Sequence, residues 1–366
     1  YFATAFYEYG AGVMITAIHN PPQYNGMKFV REDSKPISGD TGLFDVEKRV
    51  REKKFERTGE GKYIQKDVYD DFVKHLLNIV SPNELKPLKL LCDAGNGCAG
   101  LAVQKLSGQL PLRITEMNFE PDGSFRNGVP NPILPESRKF TEERMRAEKF
   151  DFGVAWDGDY DRCFFFDENG NFIEGYYIVG LLAQDVLQHH PGATIVHDPR
   201  LIYNTIEIVR KLGGHAVCSK TGHAFIKERM RLENAEYGGE MSAHHYFKAH
   251  WYCDSGMIPM LMIARLVSQS GKTLGELVSE MMQNYPCSGE INLKVENPAE
   301  AMQKVRVSFS GGKLDETDGI SIEFDNWRFN LRASNTEPVI RLNVESKGDK
   351  QLIEEKLNEI LKIIES

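Results

Sequence analysis

Short apolar runs alternate with longer helical patterns along most of the chain. Residues 88–92, 112–116, 151–156, 194–197 and 215–218 predict strands, and 142–149, 177–189 and 203–212 carry apolar residues at helical spacing. Alternation of this kind predicts βαβ units with parallel sheet. Turn-rich segments 121–135 and 169–175 interrupt the pattern, and after Pro286 the order becomes strand-rich, then helical. The final stretch sets Leu352, Ile353, Leu357, Ile360, Leu361 and Ile364 on one helical face, which predicts core packing. No short-period repeat or low-complexity tract occurs, so any kinship among the βαβ units lies between whole domains.

Composition narrows the classes. A chain of 366 residues with 41% hydrophobic content can bury a large core and predicts two to four domains. The net charge of −9 argues against nucleic acid or an anionic membrane as partner, so any phosphate site is local. The most apolar window, 256–267, is interrupted by Arg265 and is too short to cross a bilayer; it predicts a core helix. Six cysteines without C-x-x-C spacing suit reduced thiols in a cytoplasmic protein. The opening Tyr1-Phe-Ala3 shows no initiator methionine and no targeting pattern, which suggests a missing N-terminal segment.

Four stretches carry candidate chemistry. The predicted strand 151–156 runs into Asp157-Gly-Asp-Tyr-Asp-Arg162, where a tight turn can converge Asp157, Asp159 and Asp161 on one cation. An all-oxygen set favours Mg²⁺. A calcium loop is the rival, with Glu168 at the twelfth position, but Arg162 stands where such a loop needs glycine; a solvated acidic turn is the plain alternative. Near the C-terminus, Arg332-Ala-Ser-Asn-Thr-Glu-Pro338 with Arg341 combines guanidinium forks, the hydroxyls of Ser334 and Thr336 and the Asn335 amide, donors that suit a tetrahedral anion. Gly238-Gly-Glu-Met-Ser-Ala-His-His245 sets Glu240 beside Ser242, an acceptor and a hydroxyl that suit vicinal sugar hydroxyls, although a structural turn has the same composition. Gly95-Asn-Gly-Cys-Ala-Gly100 fits a dinucleotide fingerprint, but the following helical segment 101–108 is short, and a helix-start turn is the competing reading.

Thr16-Ala-Ile-His-Asn-Pro21 and Asn25-Gly-Met-Lys28, taken with the acidic loop, Thr221-Gly-His223, the Glu240 loop and the Arg332 loop, occur in an order that resembles the α-D-phosphohexomutase family, and within it the bacterial phosphomannomutase/phosphoglucomutase members. The resemblance covers nearly the whole chain. It implies an α/β architecture: three related α/β domains around a central cleft, the first truncated at its N-terminus, then a C-terminal α+β domain. The corresponding ranges are 1–66, 67–173, 174–286 and 287–366. It implies phosphoryl exchange between a phosphoserine and a hexose 1- or 6-phosphate, with Mg²⁺ as cofactor and a hexose 1,6-bisphosphate as activator. By position, Asp157, Asp159 and Asp161 would hold the metal, and Arg162 would lie beside the transferring phosphate. His19, Lys28, Arg200, His223 and His244 would line the cleft. Glu240 and Ser242 would read the sugar, and Arg332, Ser334, Asn335, Thr336 and Arg341 would hold the second phosphate. Mannose and glucose phosphates are not separable from spacing, and oligomeric state is open.

Position 18 departs from the pattern. The family has serine there and this chain has Ile18, whose hydrocarbon branch can neither accept nor donate a phosphoryl group. Thr16 is expected to point to the opposite face, and His19 is a substitute only if it can reach the missing oxygen's place. Non-catalytic hexose-phosphate binding, as a sensor or scaffold, is therefore the second expectation.

Overall fold

The computed structural model describes residues 1–17, 20, 23–55, 59–333 and 339–365. A short helix, Phe2–Phe6, precedes two short strands, β1 (Ala11–Ile15) and β2 (Met27–Arg31), paired antiparallel with Ala11 opposite Arg31.

Two sheets of one design follow. In the first, β3 (Lys89–Asp93), β4 (Arg113–Met117), β5 (Phe152–Trp156), β6 (Cys163–Phe166) and β7 (Phe172–Ile173) lie in the order β4-β3-β5-β6-β7. The first three are parallel and the last two antiparallel. In the second, β8 (Thr194–His197), β9 (His215–Cys218), β10 (Tyr237–Gly239), β11 (His245–Phe247) and β12 (Cys253–Asp254) repeat it as β9-β8-β10-β11-β12. Every residue of β5 is buried, as a central parallel strand with both faces covered requires. The fourth sheet is antiparallel throughout: β13 (Ile291–Lys294), β14 (Lys313–Asp315), β15 (Ile320–Glu323), β16 (Trp327–Ala333) and β17 (Val339–Ser346), in the order β13-β17-β16-β15-β14. The predicted α/β chain with an α+β end is what the fold contains.

One hydrophobic core joins the two βαβ sheets. The helix Met257–Ser270 supplies much of it, with Met260, Leu261 and Ile263 packed in the same cluster as Phe72, Leu90 and Trp156 of the first sheet's domain. The fourth sheet keeps a separate core, with Phe329, Leu342 and Val344 packed against Ile353 and Ile360 of the helix Lys350–Glu365. That domain docks onto the third through polar groups. Buried Glu345 accepts from the Tyr176 hydroxyl at 2.5 Å, the Ile202 and Tyr203 amides at 2.7 and 3.1 Å, and Arg328 at 2.9 Å.

Some expectations shift. The helix placed at 142–149 runs Pro135–Ala147, because Pro135 sits at a first helical position and starts it seven residues early. The strands placed at 88–92 and 112–116 lie one residue later. A helix, Pro298–Ser308, interrupts the strand-rich tail; Asn297 caps it by accepting from the Glu300 amide at 3.2 Å. The window 256–267 is a core helix, no helix among the described residues is long and apolar enough to cross a membrane, and all six cysteines are unpaired.

Candidate active site

Each βαβ sheet delivers one functional loop at the carboxyl end of its third strand. After β5, the chain turns through Asp157 to Arg162 with Tyr160 at a positive φ of 49°. Asp157 accepts from Arg162 twice, at the backbone amide (3.2 Å) and at Nε (2.7 Å), so the last residue of the loop closes on the first. Ligand-capable oxygens of Asp157, Asp159 and Asp161 lie within 4.8 Å of one another. Three carboxylates this close repel; Arg162 offsets Asp157 from within the loop, and the cation for the other two comes from outside it. Lys28, on β2, sets its Nζ 2.8 Å from Asp159 Oδ2 and 2.5 Å from Asp161 Oδ2. Burial pushes the Asp157 carboxyl up to about 7, with Arg162 opposing. Burial works against the Lys28 ammonium too, but Asp161 and Asp159 outweigh it and raise its pKa.

The glycine run at 95–100 turns out to brace this loop. Gly95 and Asn96 have positive φ, and the helix Ala99–Ser107 begins just after. A Cβ on Gly97 would meet the Gly158 carbonyl oxygen at 2.5 Å, and the Cys98 amide donates to that same oxygen at 3.0 Å. The glycines form a helix-start turn against which the acidic loop packs.

The second loop follows β10. Glu240 is buried, its carboxylate accepting from the Tyr246 hydroxyl at 2.5 Å and the Gly222 amide at 2.8 Å, and burial raises its pKa. Ser242 Oγ lies 3.3 Å from Arg200 Nη2 and 3.4 Å from His244 Nδ1. His244 Nε2 in turn stands 3.6 Å from Asp161 Oδ1, and an isolated bridge pairs Arg162 with His244. The two loops are thereby joined edge to edge. Burial holds the His244 imidazole down at about 3, against the pull of Asp161, and His223 at about 4, with Lys227 adding to the effect.

Arg200 links this chain to the fourth domain. Its buried guanidinium forks onto Asp198 at 3.0 and 2.9 Å and reaches Glu290 at 3.3 Å. Arg332, at 3.3 Å, and Arg341, at 3.7 Å, converge on the same Glu290 carboxylate from facing positions of β16 and β17. The Nε atoms of Arg332 and Arg341 are buried with no hydrogen-bond partner among the described residues. A continuous path of polar groups therefore runs from the acidic loop through His244, Ser242 and Arg200 to two guanidinium groups suited to a phosphate.

Most predicted site residues thus lie along one connected set of polar contacts: Lys28, Arg162, Arg200, Glu240, Ser242, His244, Arg332, Arg341 and the three aspartates, with His223 close enough to feel the charges of Lys28 and Asp161. Ile18, His19, Ser334, Asn335 and Thr336 lie outside the described residues. Thr16 corrects its expectation. Residues two apart on an extended segment share a face, and its hydroxyl donates to Asp159 Oδ2 at 3.0 Å instead of pointing away. Asp198 and Glu290 were not anticipated, since neither stands in a recognisable motif. Lys227, 2.6 Å from Asp254 and wholly buried, was also missed.

The acidic loop fits a hard divalent cation. Its ligands are all oxygens, and Asp159 Oδ1 and Asp161 Oδ1 are buried with no hydrogen-bond partner among the described residues.

Comparison with known proteins agrees in all four domains. Phosphoglucomutase/phosphomannomutase models match as alpha/beta/alpha domain I at residues 1–57, domain II at 69–170, domain III at 174–285 and the C-terminal domain at 290–363. A Xanthomonas campestris protein named phosphohexose mutases is 54% identical over the whole chain and 82% of its own length. A phosphomannomutase of Escherichia coli K12 is 52% identical with the same coverage. A crystal structure of a phosphoglucomutase/phosphomannomutase family protein from Burkholderia thailandensis superposes with a TM-score of 0.84 at 32% identity, over 97% of this chain and 76% of that one.

Proposed function

The chain belongs to the phosphoglucomutase/phosphomannomutase family, and on that premise we propose that its cleft is built to interconvert mannose 6-phosphate and mannose 1-phosphate, and the glucose phosphates with them, through a bisphosphorylated sugar. The observation that carries the reading is the unbroken polar path from the aspartates to the paired arginines, which sets a metal-suited carboxylate cluster at one end and phosphate-suited guanidinium groups at the other. Asp157, Asp159 and Asp161 would hold Mg²⁺, which would supply positive charge to a transferring phosphoryl group. Lys28 and Arg162 flank that end with fixed positive charge. Glu240, Ser242 and His244 face the sugar hydroxyls, and Arg332 and Arg341 take the phosphate at rest, with Ser334, Asn335 and Thr336 adding donors. Two phosphates at opposite ends of this path explain why a bisphosphate sugar would serve as activator.

Ile18 closes the phosphoserine route, since no oxygen stands at that position to carry the group. That single residue favours a second reading, in which the chain binds hexose phosphates without exchanging them through position 18. Titration calorimetry with mannose 6-phosphate, with and without Mg²⁺, tests the shared part of both. Saturable binding that weakens in Arg332→Met is expected; no binding by the folded chain would exclude a hexose-phosphate site altogether.

A further inference from the structure

We propose that Thr16 accepts the phosphoryl group of a hexose 1,6-bisphosphate in place of the hydroxyl that position 18 lacks. The proposal rests on the hexose-phosphate reading above and adds to it an acceptor that the family pattern does not supply.

Three observations carry it. The Thr16 hydroxyl donates to Asp159 Oδ2 at 3.0 Å, so it already touches the acidic loop at the end of the cleft where phosphoryl transfer would occur. Lys28 Nζ lies 2.8 Å from that same Asp159 oxygen, and a phosphate formed on Thr16 would bring nearly two negative charges to a place where that ammonium is fixed. The backbone of Thr16 is anchored as well: its amide donates to the Gly26 carbonyl at 3.0 Å, and a Cβ on Gly26 would come within 2.7 Å of the Thr16 carbonyl oxygen, so only glycine there allows this approach to the β1–β2 ladder. A half-buried hydroxyl held by its backbone and already bonded to a carboxylate has lost part of its orientational freedom before any substrate arrives.

The step balances without an added reactant. Thr16 Oγ1 attacks phosphorus of the bisphosphate; the Oγ1–P bond forms and the bond from phosphorus to the sugar oxygen breaks. The hydroxyl proton is released to solvent as the Oγ1–P bond forms, and the departing sugar oxygen takes up one proton from solvent, so charge and atoms balance. The products are phosphothreonine and a hexose monophosphate.

Incubation of the chain with glucose 1,6-bisphosphate and Mg²⁺, followed by peptide mass spectrometry, reads the outcome directly, because residues 1–28 contain no lysine or arginine before Lys28 and so stay together on one tryptic peptide. The expected result is an acid-stable phosphate on Thr16, lost in Thr16→Val, kept in Thr16→Ser, and moved to position 18 in Ile18→Ser. An unmodified peptide, a phosphate on His19, or a phosphate that survives Thr16→Val overturns the proposal. Matching melting curves for Thr16→Val and Thr16→Ser show that any loss is not unfolding. If Ile18→Ser is phosphorylated and exchanges mannose phosphates while the unaltered chain stays unmodified, Thr16 is not the acceptor and the hexose-phosphate reading stands. If Ile18→Ser also stays unmodified and calorimetry detects no bisphosphate binding, both fall.

Discussion

The second and third domains are one scaffold used twice, and their difference separates what topology supplies from what residues supply. Both sheets run in the same order, three parallel strands and then two antiparallel ones. In both, the functional loop lies between the third and fourth strands in sequence: residues 157–162 between β5 and β6, and residues 240–244 between β10 and β11. Each loop is seated against a glycine, since a Cβ on Gly97 would meet the Gly158 carbonyl oxygen at 2.5 Å and one on Gly175 would meet that of Met241 at 2.3 Å. The chemistry on the two loops is unlike. One carries three carboxylates that need a cation, the other a carboxylate, a hydroxyl and an imidazole that suit a neutral polyol. Topology thus decides where a loop stands and which neighbour it meets, here through the Arg162–His244 bridge; side chains decide what it holds.

Substitutions that strike one domain and spare the other sharpen this comparison. The largest expected effect is on the third domain's support. Asp198→Ala would leave Arg200 buried with half its partners gone, a loss of about 3–5 kcal/mol in chemical unfolding. Burial alone would raise Asp198, but Arg200 outweighs it and the native pKa is depressed. The stabilisation is therefore fully present above the unfolded value of about 4 and is lost as pH falls through the lower native value. Melting curves of the unaltered chain should drop across that acidic window more steeply than those of Asp198→Ala.

Asp161→Ala comes next and acts on the second domain's loop. Removing one of three ligands should weaken Mg²⁺ binding by about 100-fold, roughly 2.7 kcal/mol, in calorimetry, while Ser242→Ala leaves metal affinity unchanged. Gly97→Ala and Gly175→Ala form a matched pair. Both force backbone apart and should each cost about 1–3 kcal/mol, but the first should disturb metal binding and the second sugar-phosphate binding. Equal effects of both on both ligands would mean that the loops are not separable. Ser242→Ala has the smallest effect, about tenfold or less in hexose-phosphate affinity, since a single hydrogen bond is worth about 0.5–1.5 kcal/mol.

The strands and the loops at their ends were legible because apolar runs stop where polar, glycine-rich turns start, and three alternating aspartates after a strand have few other uses. The helix Pro298–Ser308 carried its signal too, an asparagine cap followed by proline and then Glu300, and was overlooked because the surrounding pattern reads as strand. Glu290 is a different case. Its importance comes from three arginines at positions 200, 332 and 341, and no local spacing encodes that convergence. Glu345 is equally silent in sequence, standing inside a strand and becoming a docking hub only when Tyr176 and Ile202 of another domain close over it. Thr16 was read with the wrong parity, an error that elementary strand geometry corrects.

The central claim is that this cleft keeps the working parts of a hexose-phosphate mutase and lacks the acceptor at position 18. Conversion of mannose 1-phosphate to mannose 6-phosphate by Ile18→Ser, measured with Mg²⁺ and glucose 1,6-bisphosphate beside the unaltered chain, tests it most directly. The account predicts turnover in Ile18→Ser that far exceeds the unaltered chain's and disappears when Asp161→Ala is added. A folded Ile18→Ser that binds the bisphosphate and still fails to turn over would contradict it.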